Sequence, residues 1–508
     1  MPMINIGTTK TPRARVALWT AALVAIAFGG SACCAALARL ASAPPGLTGP
    51  FSFAAGMQLP VVVVNAALGA FPVTIAALAV FAIIGFAGWR LSSALRDATD
   101  IPDSAILVAQ AIAGIALTFF AITFSSDPYA YVIFARAHGV FRLNPYIFFG
   151  QIGIIRDSVL HQCIAFYGDP PPSDAYGPLW TIVEGIIGRI EATSSLWLQF
   201  WTQRAVAVAG AVACTAGVLR LLANAAPAAR RFGASLFAFH PLVLWESAIG
   251  GHNDFLMLAC AVWAFATVDA YPILAGILLG CAIGIKFVPV LLVPVLIARV
   301  IRTSGVTSGL FSGALALAVP IATFAPFWSG SATLLPLLTV DARLGISPTW
   351  LLNIPFLARG ITNLPIAAGM HGSYLASLSW GHLYQYVLNL AVLAVVITVT
   401  IAVARGASLR TVWRIVTAFI WTLPSVNSWY VAWLLPAVAF GDAWGTYAWW
   451  FGTLVALHYA VDSGAVGSVP GAVAWAGLIT IVFLGLPIVL ALVARRRLAA
   501  QREQAHAG

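Results

Sequence analysis

Apolar runs separated by short polar turns recur from Val16 to Val493, and many reach the ~20 residues that a helix needs to cross a hydrocarbon core. The pattern predicts spans at about 16–40, 60–89, 104–124, 195–222, 233–248, 253–268, 272–285, 286–301, 306–326, 383–404, 411–424, 429–441, 443–460 and 470–494. Several central segments are only ~13–16 residues long and are broken by Gly or Pro, as in helices that line a cavity rather than face lipid. The fold class is therefore all-α: one polytopic transmembrane helical bundle of about 12–14 spans, covering residues 1–508 as a single membrane domain.

Composition agrees, since 61% of the residues are apolar and only 8% charged. A water-soluble protein carries about a quarter of its residues as charges, so soluble enzymes and disordered chains are both excluded. The net charge of +10 does not point to nucleic acid, because the basic residues form no basic helix or aromatic-interleaved stripe. They sit between the apolar runs, and alternating the turns inside and outside places most of them inside. Lys10, Arg13 and Arg15 precede a first span that has no small-residue cleavage site, so it reads as an anchor with the N-terminus cytoplasmic. The C-terminus falls on the same side.

Two long segments, 125–194 and 328–382, then lie outside and are rich in aromatic residues, Pro and Gly. Within the first, Tyr129–Gly139 reads as an interfacial helix and Gly177–Ile190 as a short re-entrant or surface helix begun by the Tyr-Gly-Pro turn. Of the six cysteines only Cys163 is in an outer loop, so no disulfide framework or thiolate metal site is implied.

Candidate chemistry collects in the outer turns. Asp127 follows the third span; a carboxylate near the membrane face is costly unless paired or used, and burial would push it toward a useful base. The competing reading makes it the cap of a helix begun by Pro128. Tyr129, Tyr131, Arg136, His138, Asn144, Tyr146 and Tyr176 supply donors, acceptors and flat faces suited to sugars, while Asp157, Asp169 and Asp174 have no diagnostic metal spacing. A second polar knot, Gly250, Gly251, His252, Asn253 and Asp254, lies between apolar helices; its competing reading is an N-cap by Asn253 or Asp254. Lys286 is the only lysine besides Lys10, and a compact cation level with Asp127 and Asp254 suits a phosphate. Arg204 is a second intramembrane cation that needs a partner: Glu184, Glu191 or a ligand phosphate. Trp429, Tyr430 and Trp433 could stack on a sugar or isoprenoid, or form an interfacial belt.

Asp127-Pro-Tyr-x-Tyr, Gly139 followed by Asn144-Pro-Tyr, Tyr176-Gly-Pro, Gly251-His-Asn-Asp, Lys286 and Trp429-Tyr-x-x-Trp occur in the order seen in the GT-C superfamily of integral membrane glycosyltransferases. The spacing most resembles the polyprenyl-phosphomannose-dependent α-1,6-mannosyltransferases, over about residues 85–440. Pro128 departs from the usual Asp-Val-Tyr-Ser-Tyr pattern, and Asn144 stands where an Asp-Pro-Tyr form is usual. The resemblance implies transfer of a hexose, mannose above others, from a polyprenyl-phosphate sugar to a glycan or glycolipid hydroxyl on the extracytoplasmic face of a bacterial cytoplasmic (inner) membrane, with inversion. It implies Asp127 as catalytic base, Lys286, Arg204 and Arg136 as donor-phosphate ligands, and Tyr129, Tyr131, Asn144, Tyr146, Tyr176, His252, Asn253, Asp254, Trp429 and Tyr430 as substrate contacts. No cofactor is implied; the departing phosphate monoester carries no nucleotide, so metal independence is the expectation, with a divalent metal as the alternative. Alternatives in function are another GT-C transferase, of glucose, arabinofuranose or an amino sugar, and a secondary transporter. Polar residues gathered at one face, with two long outer loops, favour the enzyme.

Overall fold

The computed structural model describes residues 11–40, 61–62, 71–98, 100–120, 122–147, 155–167, 173–334, 373–423, 427–457, 485–493 and 495–496. Asp169, most of the expected second outer loop (335–372) and the start of the last expected span (470–484) lie outside the described residues.

The chain is an all-α membrane protein. Helices α1 (Pro12–Leu40), α2 (Phe71–Asp97) and α3 (Ser104–Thr118) open the bundle. The first outer segment then carries α4 (Asp127–Ala135, continued as a π-turn over Arg136–Val140), α5 (Ser158–Tyr167) and α6 (Pro178–Ile190). Helices α7 (Leu196–Leu221), α8 (Pro227–Ala238), α9 (Pro241–Leu244, continued as a π-turn over Trp245–Ile249), α10 (Asp254–Thr267), α11 (Pro272–Ile285), α12 (Val293–Ser304) and α13 (Val306–Phe324) follow. Beyond the second segment come α14 (Ser373–Ala404), α15 (Trp413–Thr422), α16 (Ser428–Val431, continued as a 3₁₀ helix to Phe440) and α17 (Ala443–Leu454). Residues 485–493 are helical as well.

Four of these helices are long and apolar enough to cross a membrane singly, and α8 with α9 and its π-turn, bent by 49°, is together long and apolar enough to count as a fifth. Five shorter apolar helices, including α3, α10 and α11, occupy other expected spans. The expected count of 12–14 is thus not met by full-length helices among the described residues, because the interior of the bundle is built from short and broken pieces. One small departure from all-α is a parallel two-residue bridge, β1 (Val61–Val62) with β2 (Ile122–Thr123).

Ion pairs draw several of the polar turns together at one end of the bundle. Arg13 pairs with Asp100, Arg15 with Asp97 and Arg230 with Asp103, which gathers the start of α1, the α2–α3 turn and the start of α8 at one end. These residues were all assigned to the inner side by parity. The α3–α4 turn, the α9–α10 turn and the end of α11 lie together at the other end, where the loop helices dock. Glycine lets α4 and α6 touch: a Cβ on Gly188 would collide with the Ala135 carbonyl. Both loop helices were legible from their turn residues, whereas α5 was not.

Candidate active site

Asp127 is placed by a chain of contacts that begins in the bundle. Helix α3 ends at Thr118, and its unsatisfied carbonyls need donors. Arg204, on α7 and 1% exposed, supplies them: Nη1 donates to the Thr118 and Phe120 carbonyls at 2.7 and 3.1 Å. The guanidinium also lies 4.9 Å from the Phe200 ring. Arg204 therefore finds its partner in the backbone rather than in Glu184 or Glu191, and it holds the segment that leads to the site. Thr123 then donates to the Ile249 carbonyl at 3.3 Å, and Ser125 Oγ accepts from the Asp127 amide at 3.1 Å.

The Asp127 side chain makes no cap contact. The N-cap of α4 is Ser126, and Asp127 stands in the first turn of the helix. Its Oδ2 accepts from the Tyr176 hydroxyl at 3.1 Å and lies 3.3 Å from His252 Nδ1. Burial on its own pushes the Asp127 carboxyl up, but the hydrogen bond and charge of His252, the charge of Lys286 and the Tyr176 hydroxyl together hold it below the usual carboxylate value. The expectation that burial would raise this acid is thereby reversed, because the burial comes with donors.

Tyr176 is held by the loop. Asp174 Oδ1 accepts from the Tyr176 amide at 2.8 Å, and Asp174 Oδ2 accepts from the Thr181 hydroxyl at 2.7 Å. The Tyr146 hydroxyl donates to the Tyr176 carbonyl at 2.9 Å, and the Gly177 amide donates to the Ile285 carbonyl, also at 2.9 Å. The last bond ties the loop to the end of α11, beside Lys286.

The Lys286 ammonium lies 2.7 Å from both carboxylate oxygens of Asp254, whose Oδ1 also accepts from Trp433 Nε1 at 2.7 Å. The rings of Tyr176, Tyr430 and Trp433 stand 5.4–5.8 Å from the ammonium, so it sits in an aromatic cage. Lysine is not snorkelling here; it is 12% exposed. His252 stacks on Trp429 with ring centroids 4.1 Å apart. Gly251 makes this turn possible, with φ of +68° and the Arg204 side chain against it. Asn253 precedes α10 without capping it, and neither amide atom of this buried side chain has a hydrogen-bond partner among the described residues.

Thus Asp127, Tyr131, Tyr176, His252, Asn253, Asp254, Lys286, Trp429 and Tyr430 belong to one neighbourhood, with Tyr131 edge-on to Tyr176. Other expected residues lie apart from it. Tyr129 packs on Phe200 in the loop core. Arg136 is locked to Asp157, with further bonds to the Ala192 carbonyl and Gln199, and so clamps α4 to the loop instead of meeting a phosphate. Asn144 Nδ2 donates to the Phe327 carbonyl, and Tyr146 supports Tyr176 from behind. Sequence reasoning assigns no role to Thr181 or to Glu246, although Glu246 is 1% exposed. An acid within an apolar helix was the available signal.

Behind Trp433 a cavity of about 600 Å³ runs between α10 and α15, past Phe265 and Ile415, to Arg220, Asp269, Arg299 and Arg410 at the opposite end. Among the described residues, no three His, Cys, Asp or Glu side chains converge as a metal site.

Residues 28–302, more than half of the chain, match the family model of the alpha-(1->6)-mannopyranosyltransferase N-terminal domain, the MptA/B family. The chain belongs to this family. It is accordingly a multi-pass membrane glycosyltransferase, a mannosyltransferase of the α-1,6 type, and the matched region contains Asp127, Tyr176, His252, Asp254 and Lys286. No curated protein and no solved structure matches the chain.

Proposed function

We propose that this mannosyltransferase uses a polyprenyl-phosphate mannose as donor and extends a glycan or glycolipid acceptor on the extracytoplasmic face of a bacterial cytoplasmic membrane, with both termini inside. The observation that supports this best is the pairing of a donor-flanked carboxylate, Asp127, with a caged lysine, Lys286, at the end of the bundle opposite the arginine-rich turns. Nucleotide sugars are confined to the cytoplasm, so a site on the outer face requires a lipid-phosphate donor.

The chemistry follows from the two charges. Asp127 takes the proton of the acceptor hydroxyl as its oxygen attacks the anomeric carbon, and the bond from that carbon to the phosphate oxygen breaks on the opposite face, inverting the centre. A positioned base is worth ~10²–10⁴-fold in rate. Lys286 has three N–H groups and Asp254 offers two oxygens, which leaves one donor for the departing phosphate. Asn253 and the rings of Tyr176 and Trp429 contact the sugars, and the buried His252 reaches them through Asp127. The apolar stretch of the cavity behind Trp433 offers an isoprenoid chain a wall next to the site.

The test is transfer of radiolabelled mannose from polyprenyl-phosphomannose to short mannoside acceptors, in membranes holding equal amounts of wild-type protein or Asp127→Asn. Transfer by the wild type alone supports the reading. Equal transfer by both removes Asp127 as the base, and transfer by neither, with other lipid-linked sugars also inactive, removes the donor class.

A further inference from the structure

The π-turn that follows α9 carries an acid that the reaction outlined above does not use. Glu246 is 1% exposed, and its Oε2 lies 3.3 Å from His252 Nε2, while His252 Nδ1 lies 3.3 Å from Asp127 Oδ2. One imidazole, itself fully buried, thus stands between two carboxylates that come from separate elements. Trp429 stacks on the face of the ring, and the His252 amide donates to the Glu246 carbonyl at 3.1 Å, which ties the backbone of the two residues together. Space for the pair is kept by Gly250: a Cβ there would come within 2.6 Å of the imidazole Cδ2 and 2.8 Å of Glu246 Oε2. A wide π-turn at a functional site is a common means of turning one side chain inward.

We propose that Glu246, acting through His252, is a positioning residue for Asp127: it balances a His252 ring protonated on both nitrogens, whose Nδ1–H fixes Asp127 Oδ2 and leaves Oδ1 to meet the acceptor hydroxyl. The inference rests on the reading of Asp127 as the base. A buried carboxylate requires a charged or hydrogen-bonding partner, and a ring with a proton on each nitrogen satisfies Glu246 and Asp127 together. At 3.3 Å both contacts are close enough for hydrogen bonds but are not aligned as hydrogen bonds in this structure, and such contacts commonly align and tighten when substrate closes a site.

The remaining charged groups nearby are accounted for. Lys286 is paired with Asp254, and Arg204 with the carbonyls that end α3. The hydroxyls of Tyr131, Tyr167 and Tyr176 are held protonated, since burial pushes each of them up. Asp127 and Glu246 are therefore the acids that His252 meets directly.

The experiment is the pH dependence of kcat and KM for mannosyl transfer by the purified full-length protein, comparing wild type, Glu246→Gln, Glu246→Asp and Asp127→Asn. Glu246→Gln keeps the shape but not the charge. Its kcat falls ~10-fold with KM for donor and acceptor little changed, and its acid limb moves up by ~1 pH unit as Asp127 loses a cationic neighbour. Glu246→Asp keeps the charge and holds the limb near the wild-type position. If Glu246→Gln does not fold, His252→Gln, which retains an uncharged amide donor, shows the same displacement of the limb. A limb that stays at the wild-type pH in the uncharged variants, with only stability or KM altered, overturns the proposal while Asp127→Asn is still inactive. Full activity in Asp127→Asn overturns the parent reading instead.

Discussion

Lys286 and Asp254 form a bidentate pair, with the ammonium 2.7 Å from each carboxylate oxygen and Asp254 only 1% exposed. The pair joins the end of α11 to the start of α10. Removing one partner strands a buried charge, at a cost of ~3–5 kcal/mol, whereas removing both does not. Lys286→Met is expected to lower the thermal midpoint in detergent sharply and to abolish transfer. The double variant Lys286→Met with Asp254→Asn is expected to recover most of the midpoint but none of the transfer, which separates the structural role of the pair from phosphate binding.

The Tyr176 hydroxyl donates to the oxygen of Asp127 that also faces His252. A hydrogen bond to a charged group contributes ~1.5–3 kcal/mol. Tyr176→Phe is expected to lower kcat ~10–100-fold and to lower the thermal midpoint as well, while the ring and its cage contact with Lys286 stay. Steady-state transfer assays with both substrates varied distinguish this from a loss of binding.

Asp174 gives stability a pH dependence of definite sign. Burial holds its carboxyl up at about 7, against the Thr181 hydroxyl and the Tyr176 amide that pull it down. The unfolded chain releases the same proton near 3.8. Between these values the folded state binds the extra proton, so its stability is greatest below the lower value and declines as pH rises toward about 7. Asp174→Asn can still accept from the Tyr176 amide, and is expected to flatten that decline in thermal unfolding measured from pH 4 to pH 8.

The contact of α4 with α6 tolerates no side chain at Gly188, where a Cβ would meet the Ala135 carbonyl. Gly188→Ala forces the helices apart and is expected to cost ~1–3 kcal/mol. Since α4 begins with Asp127 and α6 follows Tyr176, transfer should fall along with the thermal midpoint.

The sequence by itself determined the class of the molecule and the addresses of its chemistry. A chain with 8% charged residues and recurrent apolar runs folds only as a helical bundle in a membrane. Polar residues that survive in such a background, Asp127, His252, Asp254 and Lys286, stand out because each is costly there. Two loop helices were marked by Asp-Pro and Tyr-Gly-Pro, whose fixed φ and missing amide start helices. Tertiary structure alone decided partners. Arg204 and Arg136 look like phosphate ligands along the chain, yet one satisfies the carbonyls ending α3 and the other holds Asp157. Burial was expected to raise the proton affinity of Asp127, which instead meets Tyr176 and His252 from positions 49 and 125 residues away in sequence. Charge type and spacing are written locally, whereas pairing depends on which helices cross, and that is fixed by packing across the whole bundle.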